Sequence, residues 1–358
     1  MAPTEKPDQS PDYESAPMNR RAFMRRAGVA GAITVGAGYI AFAPEDAPFS
    51  LRDASGKRSV VEPTPFRLGN FRVEKPKGTT QDIGIARGKA LNPGRYTIEE
   101  KRNLLKAALD AVGGIEHYVK PGETVLIKPN VAFDRSANMG ATSDPEMVGE
   151  LVRMLYRDAK ALEVRVADNP IENAVDCFRK TGIGPATISA GGRVHLPTEQ
   201  SFRVLNTPGA SLIEYWPFFA TPFKHVDKVI GLCPVKDHNL CGASISIKNW
   251  MGLLGGTRNQ FHDDIHNLLS DLALMMKPTL SIIDGTRVLA EMGPTGGDIS
   301  FVKDGDVVLA GLDPVAMDAW AFEHCLHRGT DYPEYLAMAE QKGGGQVDWA
   351  GRIKEVTV

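Results

Sequence analysis

The stretch TVLIKPN at residues 124–130 is a short apolar run that ends abruptly in a lysine and an asparagine. Three other runs share this design: VRVADNP at 164–170, VIGLCPVKDH at 229–238 and LSIIDG at 280–285. Short β-branched runs separated by helical patterns are typical of parallel strands in an α/β sheet. The sequence therefore predicts an α/β fold with a mainly parallel, doubly wound sheet.

The polar residues that follow these runs are predicted to meet at one edge of the sheet. In doubly wound sheets, ligands bind beyond the carboxyl ends of the strands. The residues placed there are Lys128, Asn130, Asp168, Lys236, His238 and Asp284. An aspartate or asparagine beside proline or glycine also forms simple turns. That alternative stays open for any one cluster, whereas four such clusters together favour a ligand site.

Composition sets the domain organisation. The 358 residues are 42% hydrophobic and 24% charged, as in ordinary globular proteins. A net charge of −3 provides no basic surface for nucleic acid, so no nucleic-acid partner is predicted. Residues 44–80 have little periodicity and are interpreted as a linker, and residues 81–358 as one α/β domain. Many prolines, glycines and aromatic residues at about 185–225 predict a small β-rich insertion.

Residues 1–43 predict export from the cytoplasm. They begin with a polar stretch whose composition predicts disorder, and then Arg20 and Arg21 precede a weakly apolar stretch. This arrangement resembles a twin-arginine export signal. We therefore expect a periplasmic or other extracytoplasmic location, with the twin-arginine export machinery as a partner. Pro44 disfavours cleavage, so an uncleaved membrane anchor, with membrane contact through that segment only, is the alternative.

Residues 246–256, SIKNWMGLLGG, place a lysine and an asparagine inside an apolar, glycine-bounded run. Burying a lone ammonium group is costly unless it is paired. Lys248 is therefore predicted to face a ligand, with Asn249 orienting it, and a structural pair with an aspartate is the alternative. Gly293 opens a glycine-rich loop whose backbone could approach an anionic ligand closely.

The run FHDDIHNLL at residues 261–269 predicts a helix with His262 and His266 on one face. Histidines four residues apart can bind one metal ion, so these two and His238 are predicted ligands of a divalent metal. Core histidines with satisfied hydrogen bonds are the alternative. None of the four cysteines forms a Cys-x-x-Cys pair, and a Cys233–Cys241 disulfide stays open for an exported protein.

These motifs, in this order, resemble the uncharacterised family catalogued as domain of unknown function 362. The resemblance covers residues 83–325. The motifs that carry it are Lys128-Pro129-Asn130, Lys236-Asp237-His238, Lys248-Asn249, Gly252, His262, Asp271, Asp284-Gly285, Gly293-Pro294, Asp313-Pro314 and Asp318. Many members of the family also carry an export signal. Others carry ferredoxin-type cysteine runs, which this sequence lacks, so the resemblance implies a site but no attached cluster and no known reaction.

Two functions remain open. The first is an enzyme that acts on a small anionic substrate, in which a lysine with a lowered pKa could also act as a base or form a Schiff base. The predicted catalytic residues are Lys128, Lys248 and Asp284, and the predicted ligand-binding residues are Asn130, Asp168, Lys236, Asn249 and Gly293. The second is a non-catalytic protein of the cell envelope that binds or assembles a ligand or cofactor. Turnover as opposed to ligand retention separates the two.

Overall fold

The protein is described by a computed structural model for residues 65–91 and 95–358. The predicted export segment and most of the predicted linker lie outside these ranges. Within them the strands are β1 (Ile83–Arg87), β2 (Thr124–Lys128), β3 (Glu163–Ala167), β4 (Arg193–His195), β5 (Phe202–Asn206), β6 (Tyr215–Phe219), β7 (Lys228–His238), β8 (Gly242–Ser244), β9 (Leu280–Leu289), β10 (Val302–Gly311) and β11 (Ile353–Thr357).

Helices connect most of these strands. The α-helices in the described ranges are α1 (Ile98–Ala111), α2 (Ile115–Tyr118), α3 (Pro145–Arg157), α4 (Ala174–Lys180), α5 (Ile183–Ser189), α6 (Ser246–Asn249), α7 (Ile265–Met275), α8 (Pro314–His324) and α9 (Glu334–Gln341). Two 3-10 helices, Trp250–Leu253 and Arg258–Asp264, matter for the site. Among the described residues, no helix is both long and apolar enough to cross a lipid bilayer.

The central sheet has the order β11-β1-β10-β9-β7-β2-β3-β4, and β8 pairs with the end of β7. Strands β9, β7, β2, β3 and β4 are parallel to one another, whereas β10 is antiparallel to both β9 and β1. One apolar cluster joins the sheet to α1, α3 and α4, and a second joins the opposite face to α8. The predicted mainly parallel α/β fold is therefore confirmed.

The helices begin where their capping residues predict. Thr97 accepts a hydrogen bond from the backbone of Glu100 at 3.2 Å, and the Glu100 carboxylate accepts from the Thr97 backbone at 2.6 Å. This reciprocal capping box satisfies two backbone donors at the start of α1. Asp144 caps α3 by accepting from Glu146 and Met147. Because α3 follows β2, this cap fixes the loop that leaves the carboxyl end of β2.

Two of the four polar clusters lie within strands rather than after them. Lys236 and His238 belong to β7, which continues because it pairs with β8 in antiparallel fashion. Asp284 lies in the middle of β9, which continues to Leu289 because β10 pairs with it along most of its length. The apolar run alone therefore marks the start of each strand but not its end.

A two-stranded sheet, β5–β6, lies within the segment for which a β-rich insertion is predicted. In the same segment β4 pairs with β3, so the main sheet uses part of it. Phe66, in the predicted linker, runs beside β5: its N–H donates to Val204 at 3.1 Å, and its ring lies 5.9 Å from that of Phe218. Burial of this aromatic ring explains why the segment packs against the insertion.

Asp271 joins the insertion to two helices. This fully buried residue of α7 accepts backbone hydrogen bonds from the loop at residues 211–213. It also pairs with the Lys342 ammonium, at the end of α9, at 2.6 Å. Its negative charge thus has four donors, which compensate for the loss of water.

We expect Asp271→Ala to lower the free energy of unfolding by about 3–5 kcal/mol, because it leaves buried donors and an ammonium group unpaired. The matched control is Asp110→Ala, which removes an exposed pair with Lys106. Such surface pairs contribute at most about 1 kcal/mol. Urea denaturation of both variants measures the difference, and equal losses would contradict the role given to Asp271.

Candidate functional site

A buried ion pair joins the carboxyl ends of two neighbouring strands. The Lys128 ammonium, from β2, lies 2.9 Å from Oδ1 of Asp168, which follows β3. Asn249 completes the contact: its Oδ1 accepts from Lys128 Nζ at 2.9 Å and its Nδ2 donates to the Lys128 carbonyl at 3.1 Å. The other oxygen of Asp168 accepts from Val131 N at 2.7 Å. Lys128, Asp168 and Asn249 therefore bind one another and hold α6 against the sheet.

Two glycines make room for this contact. A Cβ atom on Gly252 would lie 2.2 Å from Asp168 Oδ1 and 2.6 Å from Lys128 Nζ. A Cβ atom on Gly231, which aligns with Lys128 in the sheet, would lie 2.8 Å from the Trp250 ring. The apolar, glycine-bounded run at 246–256 thus packs its indole and its backbone directly on the strand ends.

Lys236 is a second buried lysine, and it has no ion pair with a carboxylate among the described residues. Its Nζ donates to the carbonyl of Ala141 at 2.8 Å and lies 3.5 Å from the side-chain oxygen of Asn130. The ammonium also lies 5.5 Å from the centre of the Phe133 ring. Burial, together with the charge of Lys248, lowers the pKa of Lys236 to about 7.

Lys248 is the least satisfied of the three lysines. It is half-buried on α6, and the contact of its Nζ is with the sulfur of Met251, a weak acceptor, at 3.6 Å. No ion pair to a carboxylate involves it in residues 65–91 and 95–358. Burial lowers the pKa of Lys248, and the charges of Arg258 and Lys128 lower it further, while Cys241 opposes them.

Arg258 adds a further positive charge to the same group. Its guanidinium donates to the carbonyl oxygens of Asn169 and Pro170, both at 2.7 Å. These are neutral acceptors, and the part of the chain described here contains no carboxylate that pairs with Arg258. Lys236, Lys248 and Arg258, called the cationic group below, therefore form no direct ion pair within the described ranges, although the charge of Asp168 acts on Lys236 and Arg258.

His238 is buried beside the cationic group. Burial lowers its pKa to about 3, with Lys248, Lys236 and His262 contributing in the same direction, so the imidazole is neutral. Its Nδ1 accepts from the backbone of Leu240 at 3.2 Å. The proton of the neutral ring is therefore on Nε2, which makes that atom a hydrogen-bond donor.

Asp284 and Lys128 lie on opposite faces of the sheet. Lys128 aligns with Gly231 of β7, and Asp284 aligns with a position three residues further along the same strand. Side chains alternate between faces along a strand, so this odd separation puts Asp284 on the face opposite to Lys128. Burial and the charge of Asp144 raise the pKa of Asp284. Lys236, five residues after Gly231, lies by the same alternation on the face of Asp284, so the prediction that Asp284 borders the pocket stays a prediction.

A cavity of about 500 Å³ lies next to the ion pairs of Asp144 with Lys101 and Arg287. Its lining residues are Arg95, Tyr96, Lys101, Asn138, Arg287 and Ile299. It contains none of the site residues predicted from sequence. Lys101 and Arg287 line the cavity, and both pair with Asp144, which neutralises part of their charge. The cavity therefore has less uncompensated positive charge than the cationic group.

Gly293 packs against the end of β7. Its N–H donates to the Asp237 carboxylate at 2.9 Å, and a Cβ atom would lie 1.9 Å from the Asp237 carbonyl oxygen. Asp237 also pairs with Arg328 at 2.5 Å. Because Asp237 stands between Lys236 and His238 in the chain, these contacts fix the glycine-rich loop beside both residues.

The predicted metal ligands are not grouped. His262 is exposed in a 3-10 helix, and α7 begins only at Ile265, after the extended φ of −142° at Asp264. The four-residue spacing therefore does not place His262 and His266 on one helix face. His266 accepts from the backbone of Tyr335 at 3.3 Å. In the described ranges no group of three or more His, Cys, Asp or Glu side chains could hold a metal ion.

The four cysteines are buried as free thiols, so Cys233 and Cys241 form no disulfide in this structure. Burial raises the pKa of Cys241 to about 11 and that of Cys233 well above its usual value. Both thiols are therefore protonated near neutral pH, and they add no negative charge beside the lysines.

Sequence reasoning missed Arg258 and the role of Asp318. Arg258 follows the glycine-bounded run by two residues, and its position after Gly255-Gly256 is the signal that could have indicated it. Asp318 reads as a helix-start charge in the sequence. In the structure it is fully buried and accepts from Ser246 N at 2.9 Å and Ile247 N at 3.1 Å. It therefore fixes the first turn of α6, which carries Lys248.

Comparisons with known proteins give a family and distant relatives. The family model described as domain of unknown function (DUF362) matches residues 125–323, more than half of the chain. The thylakoid-associated protein sll1697 of Synechocystis sp. is 24% identical over 236 residues, 60% of this chain and 66% of that protein. The chain thus spans slightly less than two thirds of this relative.

Two solved structures are similar at lower identity. The lactate racemase apoprotein of Thermoanaerobacterium thermosaccharolyticum has a TM-score of 0.36 at 10% identity, covering 75% of this chain and 60% of its own. A Thermotoga maritima protein from a structural genomics consortium has a TM-score of 0.32 at 14% identity. The match covers 71% of this chain and 60% of that protein's chain.

The contacts predict opposite stability effects for two lysines. Lys128→Met strands the buried Asp168 carboxylate, and we expect a loss of about 3 kcal/mol in the free energy of unfolding. Lys248→Met removes a charge that has no carboxylate partner, so we expect unchanged or higher stability. Chemical denaturation of the ligand-free proteins measures both values. A loss in Lys248→Met as large as that in Lys128→Met would contradict the assignment of Lys248 as unpaired.

Proposed function

We propose that this chain, which belongs to the DUF362 family, is an enzyme that binds a small anionic substrate at the cationic group. The observation that carries the proposal is the presence of three basic side chains that form no ion pair with any carboxylate of residues 65–91 and 95–358. Burying positive charge without compensation opposes folding, and a bound anion would remove that penalty. The site is therefore organised for a ligand that supplies negative charge.

The roles of the polar residues follow from their contacts. Lys236 and Arg258 bind the carboxylate or phosphate oxygens of the substrate, and the Nε2–H of neutral His238 donates a further hydrogen bond. Asn130 positions Lys236 through its side-chain oxygen. Lys128, Asp168 and Asn249 position α6, since their polar atoms bind one another. Lys248 is left as the reactive amine, because its contact is with a thioether.

The surroundings of Lys248 support access from solvent. Lys248, Met251, Gly252 and Arg258 are half-buried, whereas Lys128 and Lys236 are almost fully buried. A ligand that enters past α6 would reach Lys248 and Arg258 first and Lys236 last. A divalent cation at His238 would be repelled by the same charges, so the metal-assisted mechanism has less support than direct binding of an anion.

We expect inorganic phosphate and oxalate to raise the melting temperature of the wild-type protein at constant ionic strength. The stabilisation should grow as RT ln(1 + [L]/Kd) for a specific site. Lys248→Met should reduce it strongly, while Lys106→Met, which changes an exposed lysine, should leave it intact. If both variants respond to the anions like the wild type, the proposed binding site is wrong.

Turnover separates the enzyme from a non-catalytic binding or assembly protein. The purified protein is incubated with the small-molecule fraction of its own cells, and anionic compounds are followed over time by mass spectrometry. An enzyme depletes at least one of them catalytically, and Lys248→Met does not. A compound that is retained in stoichiometric amount without conversion supports the binding protein instead.

We further propose that the chain is exported in a folded state by the twin-arginine machinery, on the strength of Arg20 and Arg21 before a weakly apolar stretch. In this proposal the protein works outside the cytoplasm, released or anchored by the uncleaved segment. The export signal is independent of the site chemistry, so either proposal can stand alone.

Replacing Arg20 and Arg21 together with lysine should retain the protein in the cytoplasm, because the paired guanidinium groups are the feature that identifies the signal. The neighbouring pair Arg25 and Arg26 offers a matched control, and its replacement by lysine should have a smaller effect. Cell fractionation with immunodetection measures the outcome. Full export of the Arg20/Arg21 variant would rule the signal out.

A further inference from the structure

We propose that Lys248 forms a covalent imine with the carbonyl carbon of a 2-oxo carboxylic acid. The inference rests on the proposed anion site and names the chemical class of its substrate. It arises from the different surroundings of Lys128, Lys236 and Lys248. Of these three, Lys248 is the one that is partly open to solvent and whose described contact is a weak one, to a thioether sulfur.

Lys128 and Lys236 are unsuited to the reaction. The Lys128 ammonium binds Asp168 and Asn249, and reaction at its nitrogen would strand a buried carboxylate. The Lys236 ammonium is 2% exposed and donates to a backbone carbonyl at 2.8 Å. Both nitrogens are engaged in hydrogen bonds and are almost fully buried, which keeps them away from an entering ligand.

Lys248 has the opposite environment. Its Nζ contacts a thioether sulfur at 3.6 Å, and its neighbours Arg258 and Lys128 are cations. A lysine amine becomes nucleophilic when it is desolvated or lies next to another cation, because both effects favour the neutral form. Capping of α6 by Asp318 holds the residue in place on a short, rigid turn.

The charge of Lys248 acts on Lys236, and the charge of Arg258 acts on Lys248. His238 lies close enough to feel the charges of both Lys236 and Lys248. This arrangement suits an acid with a carboxylate and an adjacent carbonyl group. Arg258 and Lys236 would hold its carboxylate, and a carbonyl carbon directly attached to that carboxylate would be presented to Lys248. The neutral imidazole of His238 can donate a hydrogen bond from its Nε2–H to the carbonyl oxygen, whose proton is then supplied by solvent. An aldehyde without an anionic group would lack the first of these contacts.

The reaction balances without a further reactant. The lone pair of Lys248 Nζ forms a bond to the carbonyl carbon, and the carbonyl π electrons move to oxygen, which takes up a proton. The nitrogen loses one proton to give the carbinolamine and its second proton as the C–O bond breaks, while the hydroxyl group takes up a second proton and leaves as water. Amine and carbonyl thus give imine and water, with no change of oxidation state.

Reductive trapping tests the inference. The wild-type protein is incubated with glyoxylate or pyruvate and sodium cyanoborohydride, and the modified lysines are located by peptide mass spectrometry. We expect the reduced adduct on Lys248, its loss in Lys248→Met, and its suppression by oxalate, which has no ketone or aldehyde. The exposed Lys106 reports non-specific labelling in the same sample.

The outcomes are distinguishable. Labelling of Lys248 no faster than that of Lys106, or labelling of Lys236 in its place, overturns the inference. If oxalate still stabilises that preparation against heat, the anion site stands and only the covalent step falls. If oxalate gives neither suppression nor stabilisation, the anion site falls as well.

Discussion

The ion pair between Lys128 and Asp168 is the contact on which the geometry of the site depends. It connects the ends of β2 and β3, and through Asn249 it ties α6 to both strands. Buried ion pairs persist only when additional hydrogen bonds satisfy both partners. Here the carboxylate also binds the N–H groups of Val131 and Asn169, so the charge is fully surrounded by donors. Because this ion pair fixes α6 on the sheet, the neighbouring Lys236, Lys248 and Arg258 can stay without carboxylate partners among the described residues.

Those neighbours show the reverse condition. Lys236, Lys248 and Arg258 bind carbonyl oxygens or a sulfur atom, and these neutral contacts leave part of the cost of burying positive charge uncompensated. Proteins depart from local satisfaction mainly at functional sites, where stability is exchanged for binding or reactivity. Lys128 has an ion pair within the described ranges and supports the structure, whereas Lys236 and Lys248 have none there and are the candidates for function. The presence or absence of an ion pair distinguishes these two roles more clearly than burial does.

Sequence could predict what local patterns determine. The caps at Thr97 and Asp144, the start of each parallel strand and the importance of the run at 246–256 all follow from short-range rules. That β9 continues past Asp284 could not be predicted, because the continuation depends on pairing with β10, a strand from a distant part of the sequence. His262 was misplaced for a related reason: the histidine spacing fits a helix, but the chain forms a 3-10 segment before α7. Arg258 depends on a tertiary contact with the loop after β3, which no sequence period reports.

The packing of Trp250 on Gly231 gives the site an optical signal. The indole is 1% exposed, and its Nε1 has no hydrogen-bond partner among the described residues. It follows directly on Asn249, whose amide holds Lys128. The other tryptophans lie on the insertion, on α8 and near the end of the chain. Any rearrangement of α6, or entry of water beneath it, would therefore change the polarity around Trp250. Trp216 donates to the Gly255 carbonyl of the same run at 2.9 Å, so intrinsic fluorescence would report changes at both indoles without a label.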